Sequence, residues 1–221
     1  MAKTEQLNDL CERWKTYYSN NGIDARWFCK DGIIDEINYV NSKVKLLFIL
    51  RETNNYPDEK MVNQAEEADL RELLKDGPRY QVFHTVARWA SGILENFLDF
   101  GQADNYENMK RSLSQIAVMN LKKYTGKAIA DFNLISAFAN FDEEFIREEV
   151  EIIAPNFVIS CGVFNDLQWA LGVDPINPLK PFEKLPRYNN AVIINWEHPS
   201  RKDNSRIYLE LKSRFMKYVD H

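Results

Sequence analysis

Residues 191–206 read AVIINWEHPSRKDNSR. The apolar run Ala191, Val192, Ile193 and Ile194 has the length and β-branched content of a short buried strand. It stops at Asn195. A loop carrying Glu197, His198, Pro199, Ser200, Arg201 and Lys202 then leads to a helix that starts near Ser205. A histidine therefore stands just past the carboxyl end of a strand, and the proline after it biases its backbone to the extended form. In open α/β sheets ligands bind at that edge. The chain has 3 histidines. His221 is the last residue and His84 falls in an apolar helical pattern that suits the core, so His198 is the one placed for chemistry. A histidine that merely bonds a neighbouring backbone group in a turn would leave the same trace.

Working outward, three more apolar segments share this design. Residues 44–50 (VKLLFIL) are apolar nearly throughout, as expected of a strand covered on both faces. Residues 116–121 (IAVMNL) and 157–161 (FVISC) repeat the pattern. Between them lie helical spacings at residues 80–97 and 105–115 and a helix from Asp142, read as its N-cap, to Pro155. A short helix follows Gly162, and a closing helix covers residues 206–219. Residues 58–75 read as a charged helix, and residues 173–190, with four prolines, as an irregular surface excursion. Strands alternating with helices predict an α/β protein: a three-layer α/β/α sandwich with a central four-stranded parallel sheet. One domain is expected over residues 1–221, with core 44–221. Residues 1–43 form an extension: an amphipathic helix from Thr4 to Asn20, then a hairpin signalled by Asp31-Gly32. Trp14, Trp89 and Trp169 sit in helical apolar stripes and are expected in the core. Trp196, beside His198, suits either stacking on a base or packing under the last helix.

Composition bounds the function. With 45% hydrophobic and 13% aromatic residues the chain can build a substantial core. No run approaches the roughly 18 apolar residues of a membrane span, and the N-terminus lacks the apolar stretch of a secretory signal. A cytoplasmic monomer without membrane contact is expected. The 3 cysteines, Cys11, Cys29 and Cys161, are widely spaced. They argue against a disulfide framework and against a four-cysteine metal or iron–sulfur site. No metal and no cofactor are expected. The net charge of −5 is not that of a general nucleic-acid binder, but its distribution matters more. If the strands are parallel, one edge collects Arg51, Glu52 and Asn54 from the first, Asn120, Lys122, Lys123 and Lys127 from the second, Gly162 and Asn165 from the third, and His198, Ser200, Arg201, Lys202 and Arg206 from the fourth. The acids cluster elsewhere, in residues 58–72 and 142–151. Gly126-Lys127 is not a phosphate-binding loop, because Leu121 and Ala128 stand where that motif needs Gly and Ser or Thr.

Taken in order, ILRETN, VMNLKKYTG, IIAPNFVISCG and INWEHPSRKDNSR resemble the uracil-DNA glycosylase superfamily, from about Val44 to the C-terminus. His198-Pro199-Ser200 is the most specific of these matches. The resemblance implies a four-stranded parallel sheet and a divergent DNA base-excision glycosylase that hydrolyses the N-glycosidic bond of uracil or a related damaged base. It implies catalytic roles for Glu52, which would orient water, and His198, which would stabilise charge on the departing base. Asn120 would read the base edge, with Asn54 and Tyr56 beside it, Tyr56 as an aromatic floor. Ser200, Arg201 and Lys202, with Lys122 and Lys123, would grip DNA. Two departures stand out: Arg51 replaces the glycine usual before the carboxylate or amide, and Arg201, Lys202 and Asp203 replace an apolar wedge.

The chemistry fits these residue types. Breaking the bond builds positive charge on the sugar, which a carboxylate stabilises, and negative charge on the base, which a histidine donor stabilises like an oxyanion hole. An asparagine amide offers donor and acceptor together. Glu52 paired with Arg51 or a lysine, and Asn120 capping a turn, are the plainer alternatives. At the level of function the alternatives are a non-catalytic nucleic-acid or nucleotide-binding protein on the same fold, or an unrelated small-molecule α/β enzyme.

Overall fold

A computed structural model describes residues 1–54, 68–127, 129–174, 186–200 and 204–219. Helix α1 (Lys3–Asn20) passes through a 3₁₀ turn to β1 (Cys29–Lys30), β2 (Gly32–Ile33) and α2 (Glu36–Asn41). Then come β3 (Leu46–Leu50), β4 (Ala68–Asp69) and α3 (Leu70–Leu74). Helices α4 (Gln81–Leu94), α5 (Phe100–Ala103) and α6 (Tyr106–Ser114) lead to β5 (Ile116–Asn120). Helices α7 (Phe132–Phe141) and α8 (Glu143–Ile153) precede β6 (Phe157–Cys161) and α9 (Phe164–Leu171). The chain ends with β7 (Arg187–Tyr188), β8 (Ala191–Trp196) and α10 (Asn204–Val219).

Among the described residues the main sheet has six strands in the order β2-β5-β3-β6-β8-β7. The four anticipated strands are its parallel centre. Two antiparallel edges, β2 on β5 and β7 on β8, make it mixed where four parallel strands were expected. Each added strand is two residues long, too short to show a period-two pattern. Asn189, at φ 51, turns β7 into β8. All five residues of β3 are buried, and they alternate between two cores. Leu46, Phe48 and Leu50 join Val86, Trp89, Leu113 and Leu211 from α4, α6 and α10 on one face. Leu47 and Ile49 join Leu7, Trp14, Ile135, Ile146 and Leu167 from α1, α7, α8 and α9 on the other. Burying each such side chain contributes about 1.5–3 kcal/mol. Helices thus flank both faces, and the amino-terminal segment supplies a core helix and an edge strand. Among the described residues no helix is long and apolar enough to cross a membrane.

Four expectations change. The hairpin does not form: β1 pairs in parallel with β4, while β2 pairs with β5. Between them Asp31 is wholly buried, its carboxylate bonded to the Asn120 N–H and to Lys123, which holds the chain extended. Asp142 is the N-cap residue of α8, as read, but its side chain makes no capping bond. Its carboxylate instead accepts from Trp14 Nε1 at 2.9 Å and the Tyr18 hydroxyl at 2.6 Å. Trp169, expected in the core, is 54% exposed, while Trp14 and Trp89 are buried. Helix α7 was not anticipated, because its apolar side chains Phe132, Leu134, Ile135 and Phe138 follow no clean stripe.

Candidate functional site

The register lines up the strand ends. Leu50 faces Asn120, Ile49 faces Ser160, and Cys161 faces Trp196. Loops 51–54, 121–127, 162–163 and 197–200 therefore leave one edge. Backbone pairing of the first two continues beyond the strands. Lys122 N–H donates to Arg51 C=O at 3.0 Å, and Gly126 N–H to Thr53 C=O at 2.7 Å. Asn54, exposed, bridges Gly126 in the same ladder. Asn120 is 1% exposed and its amide donates to Thr53 Oγ1 at 2.9 Å. Thr53 in turn donates to Cys29 Sγ at 3.3 Å, so Asn120 is held from both sides.

Glu52 forms an ion pair with Lys122, and the two side chains are 5% and 3% exposed. The ammonium also lies 5.5 Å above the Phe138 ring. A Cβ on Gly126 would come within 2.0 Å of the Glu52 carboxyl carbon, so only glycine leaves this notch open. Lys123 points the other way, into the core, and pairs with Asp31 and with Glu149 at 2.7 Å. Burial works against its charge, yet the two acids outweigh burial and hold the ammonium above the usual lysine range. Burial pushes Glu149 up to about 8, against the pull of Lys123. Lys122 and Lys123, expected to grip phosphates, thus present no ammonium to solvent; each already neutralises a buried acid.

On the other side of the edge stand Arg51, Gly162 and His198. Gly162 turns the chain at φ 72. The point where its Cβ would sit lies 2.9 Å from Arg51 Nη2 and 3.3 Å from His198 Cβ. A side chain at 162 would crowd both, so glycine is what leaves room for them on either side of this turn. Burial lowers the affinity of Arg51 for its proton. Its guanidinium stacks 4.7 Å from the centre of the Phe132 ring, and its Nε is buried with no hydrogen-bond partner. His198 Nδ1 accepts from Ser200 N–H at 3.3 Å and lies 2.9 Å from Ser200 Oγ. That arrangement assigns the neutral ring's proton to Nε2. Ser200 here orients the histidine. Glu52 and His198 follow β3 and β8 with β6 between them, which spaces their backbones by about 10 Å.

Tyr56, Arg201 and Lys202 lie outside the described residues. Phe132 was missed together with the helix it begins, whose apolar residues follow no clean stripe. Trp196 is 7% exposed, packs edge-on against Trp89 of α4 and has Arg214 of the last helix 5.7 Å over its ring. Beyond it a cleft of about 420 Å³ is lined by Asn195, Trp196, Glu197, Glu210 and Arg214. Among the described residues no group of three or more His, Cys, Asp or Glu side chains could hold a metal ion. No protein-family model matches the chain, and no curated protein matches it in sequence.

Proposed function

We propose that this chain acts on nucleobases in DNA as a divergent base-excision glycosylase. The observation that carries this is that the Arg51 guanidinium and the His198 Cβ both flank Gly162 at the carboxyl ends of the parallel strands, the edge where α/β sheets bind ligands. In the reaction the bond from the sugar to the base nitrogen breaks, and its electron pair leaves with the base. His198 Nε2–H and the Arg51 guanidinium are the donors that meet the resulting negative charge. Water then adds to the oxocarbenium-like sugar carbon, and the proton it loses ends on the departed base anion, which leaves as the neutral base. Asn120, fixed by Thr53 and Asp31, is the group that reads the base edge.

Glu52 takes a reduced role in this scheme. Its carboxylate is neutralised by Lys122 and lies under Gly126, so it fixes the loop that follows Asn120 and does not hold the attacking water. The rate then rests mainly on stabilising the leaving base. Losing one preorganised donor costs ~10²–10³ in rate in comparable anion-stabilising sites. The test is alkali-induced nicking of oligonucleotides bearing one uracil, hypoxanthine or mismatched thymine. Wild type cuts at one of them, and His198→Ala and Arg51→Gln each lose about 10²-fold. Absence of abasic sites on every substrate at high protein concentration would overturn excision.

The same buried Glu52–Lys122 pair favours a second reading, in which the edge binds a base or nucleotide without cleaving it. That outcome would show as saturable, salt-sensitive DNA binding with no abasic sites.

A further inference from the structure

The amide of Asn120, the last residue of β5, ends a chain of three hydrogen bonds whose direction is fixed from the far end. That far end is a backbone carbonyl, which can only accept. The Cys29 thiol lies 3.6 Å from the Lys30 C=O and donates its S–H there. Burial pushes this thiol up to about 12, so it keeps the proton at neutral pH. Its sulfur is then an acceptor, and the Thr53 hydroxyl donates to it at 3.3 Å. With its one proton spent, Thr53 Oγ1 has only lone pairs to offer, and Asn120 Nδ2 donates to it at 2.9 Å. A reversed amide would set its carbonyl oxygen against an oxygen with no proton to share. Water has little access to relieve such a clash, because Cys29 is wholly buried and Asn120 is 1% exposed. Among the described residues the Asn120 oxygen, Oδ1, takes no hydrogen bond, and it is not one of the polar atoms sealed in without a partner.

We infer that Thr53 and Cys29 are positioning residues, which turn the nitrogen of the Asn120 amide toward Thr53 and leave its oxygen as the group that meets a ligand. This rests on the nucleobase reading of the edge and adds what sets the base preference. An acceptor at this point favours a base whose ring nitrogen carries a proton, as N3 of uracil does. It disfavours one whose ring nitrogen carries a lone pair, as N3 of cytosine does. An asparagine outside such a relay can turn its amide over and serve either. Thr53 and Cys29 do not touch the base in this scheme; both act through Asn120.

The test uses the full chain and two fluorescein-labelled single strands of adenines, one with a single uracil and one with a single cytosine, followed by anisotropy at one fixed salt concentration. Wild type binds the uracil strand about 10-fold more tightly, toward the low end for one base-edge contact. Thr53→Val removes the acceptor and brings the ratio near one, and Thr53→Ser restores it. Cys29→Ala releases the Thr53 proton toward Asn120 and also lowers the ratio. Cys29→Ser, which still accepts from Thr53 and donates to the Lys30 carbonyl, restores it. A merely structural role would weaken both strands alike and leave the ratio unchanged. A ratio untouched by both Thr53→Val and Cys29→Ala, or a wild-type ratio of one or below, would overturn the inference. Binding of neither strand would overturn it together with the nucleobase reading. The nicking assay keeps the two ideas apart. A ratio that depends on Thr53 and Cys29 without abasic sites removes excision and leaves the relay. Excision of uracil with a ratio indifferent to both residues does the reverse.

Discussion

Lys122 and Lys123 are neighbours of one residue type, and the fold uses them in opposite ways. Lys122 turns to the carboxyl edge, meets one acid, Glu52, and lies near the rings of Tyr124 and Phe138. Lys123 turns into the core behind the sheet, meets two acids, Asp31 and Glu149, and lies 5.1 Å from the Trp14 ring. The first site balances its charge inside a notch beside the surface. The second leaves an excess acid in the interior, which only a bound proton can neutralise. Both ammonium groups are thus taken up by buried acids. One braces the loop beside the candidate site, and the other ties α8 and the segment between β1 and β2 to the sheet.

The comparison can be broken most forcefully at Lys123. Replacing it with Met strands Asp31 and Glu149 without a cation, and a broken buried pair of this kind costs about 3–5 kcal/mol. Urea unfolding of Lys123→Met measures it; a loss under about 1 kcal/mol would mean that the cluster is hydrated or rearranged. At the edge, Gly126→Ala tests the notch. The new methyl would meet the Glu52 carboxyl carbon at 2.0 Å and force it off Lys122. Because Glu52 can swing toward solvent, the expected loss is smaller, about 2 kcal/mol. The double variant Gly126→Ala/Glu52→Ala should be less destabilised than the sum of its parts. Additivity would show that the methyl acts elsewhere.

A milder probe is pH. Burial raises Glu149 from 4.5 to about 8 and Asp142 from 3.8 to about 6, so the folded chain holds these protons better than the unfolded chain. The stability they contribute is complete below the unfolded values and is lost as pH rises through the folded ones. Denaturation midpoints should therefore fall between about pH 4.5 and 8, and Glu149→Gln should flatten the upper part of that decline. A flat wild-type profile would refute the shared proton. Smallest is Asp142→Asn. It keeps one acceptor for Trp14 or Tyr18 and turns an N–H₂ toward the other donor, for about 1 kcal/mol, read by thermal unfolding.

How much of this was legible follows from range. The central strands were readable because each is an uninterrupted apolar run, the signature of burial on both faces. The place of His198 followed from the strand before it and the proline after it. The edge strands were not readable, since two residues carry no period. The Asp31-Gly32 hairpin was misread because a turn signal is local, whereas the Asp31 carboxylate answers to Lys123, 92 positions away. Phe132 was hidden because the mixed apolar pattern of residues 132–141 did not show the helix that carries it.

The sequence by itself determined the order of the central strands along the chain, the helices between them, and the set of loops that share one edge, because these depend on local hydrophobic pattern. Only the tertiary structure decided which charges on that edge remain available. Glu52 reaches its lysine across 70 positions, and Arg51 and His198, 147 positions apart, both flank Gly162, where a side chain would crowd them. Pairing, burial and exposure are properties of contacts between distant segments, and no single segment encodes its own partner.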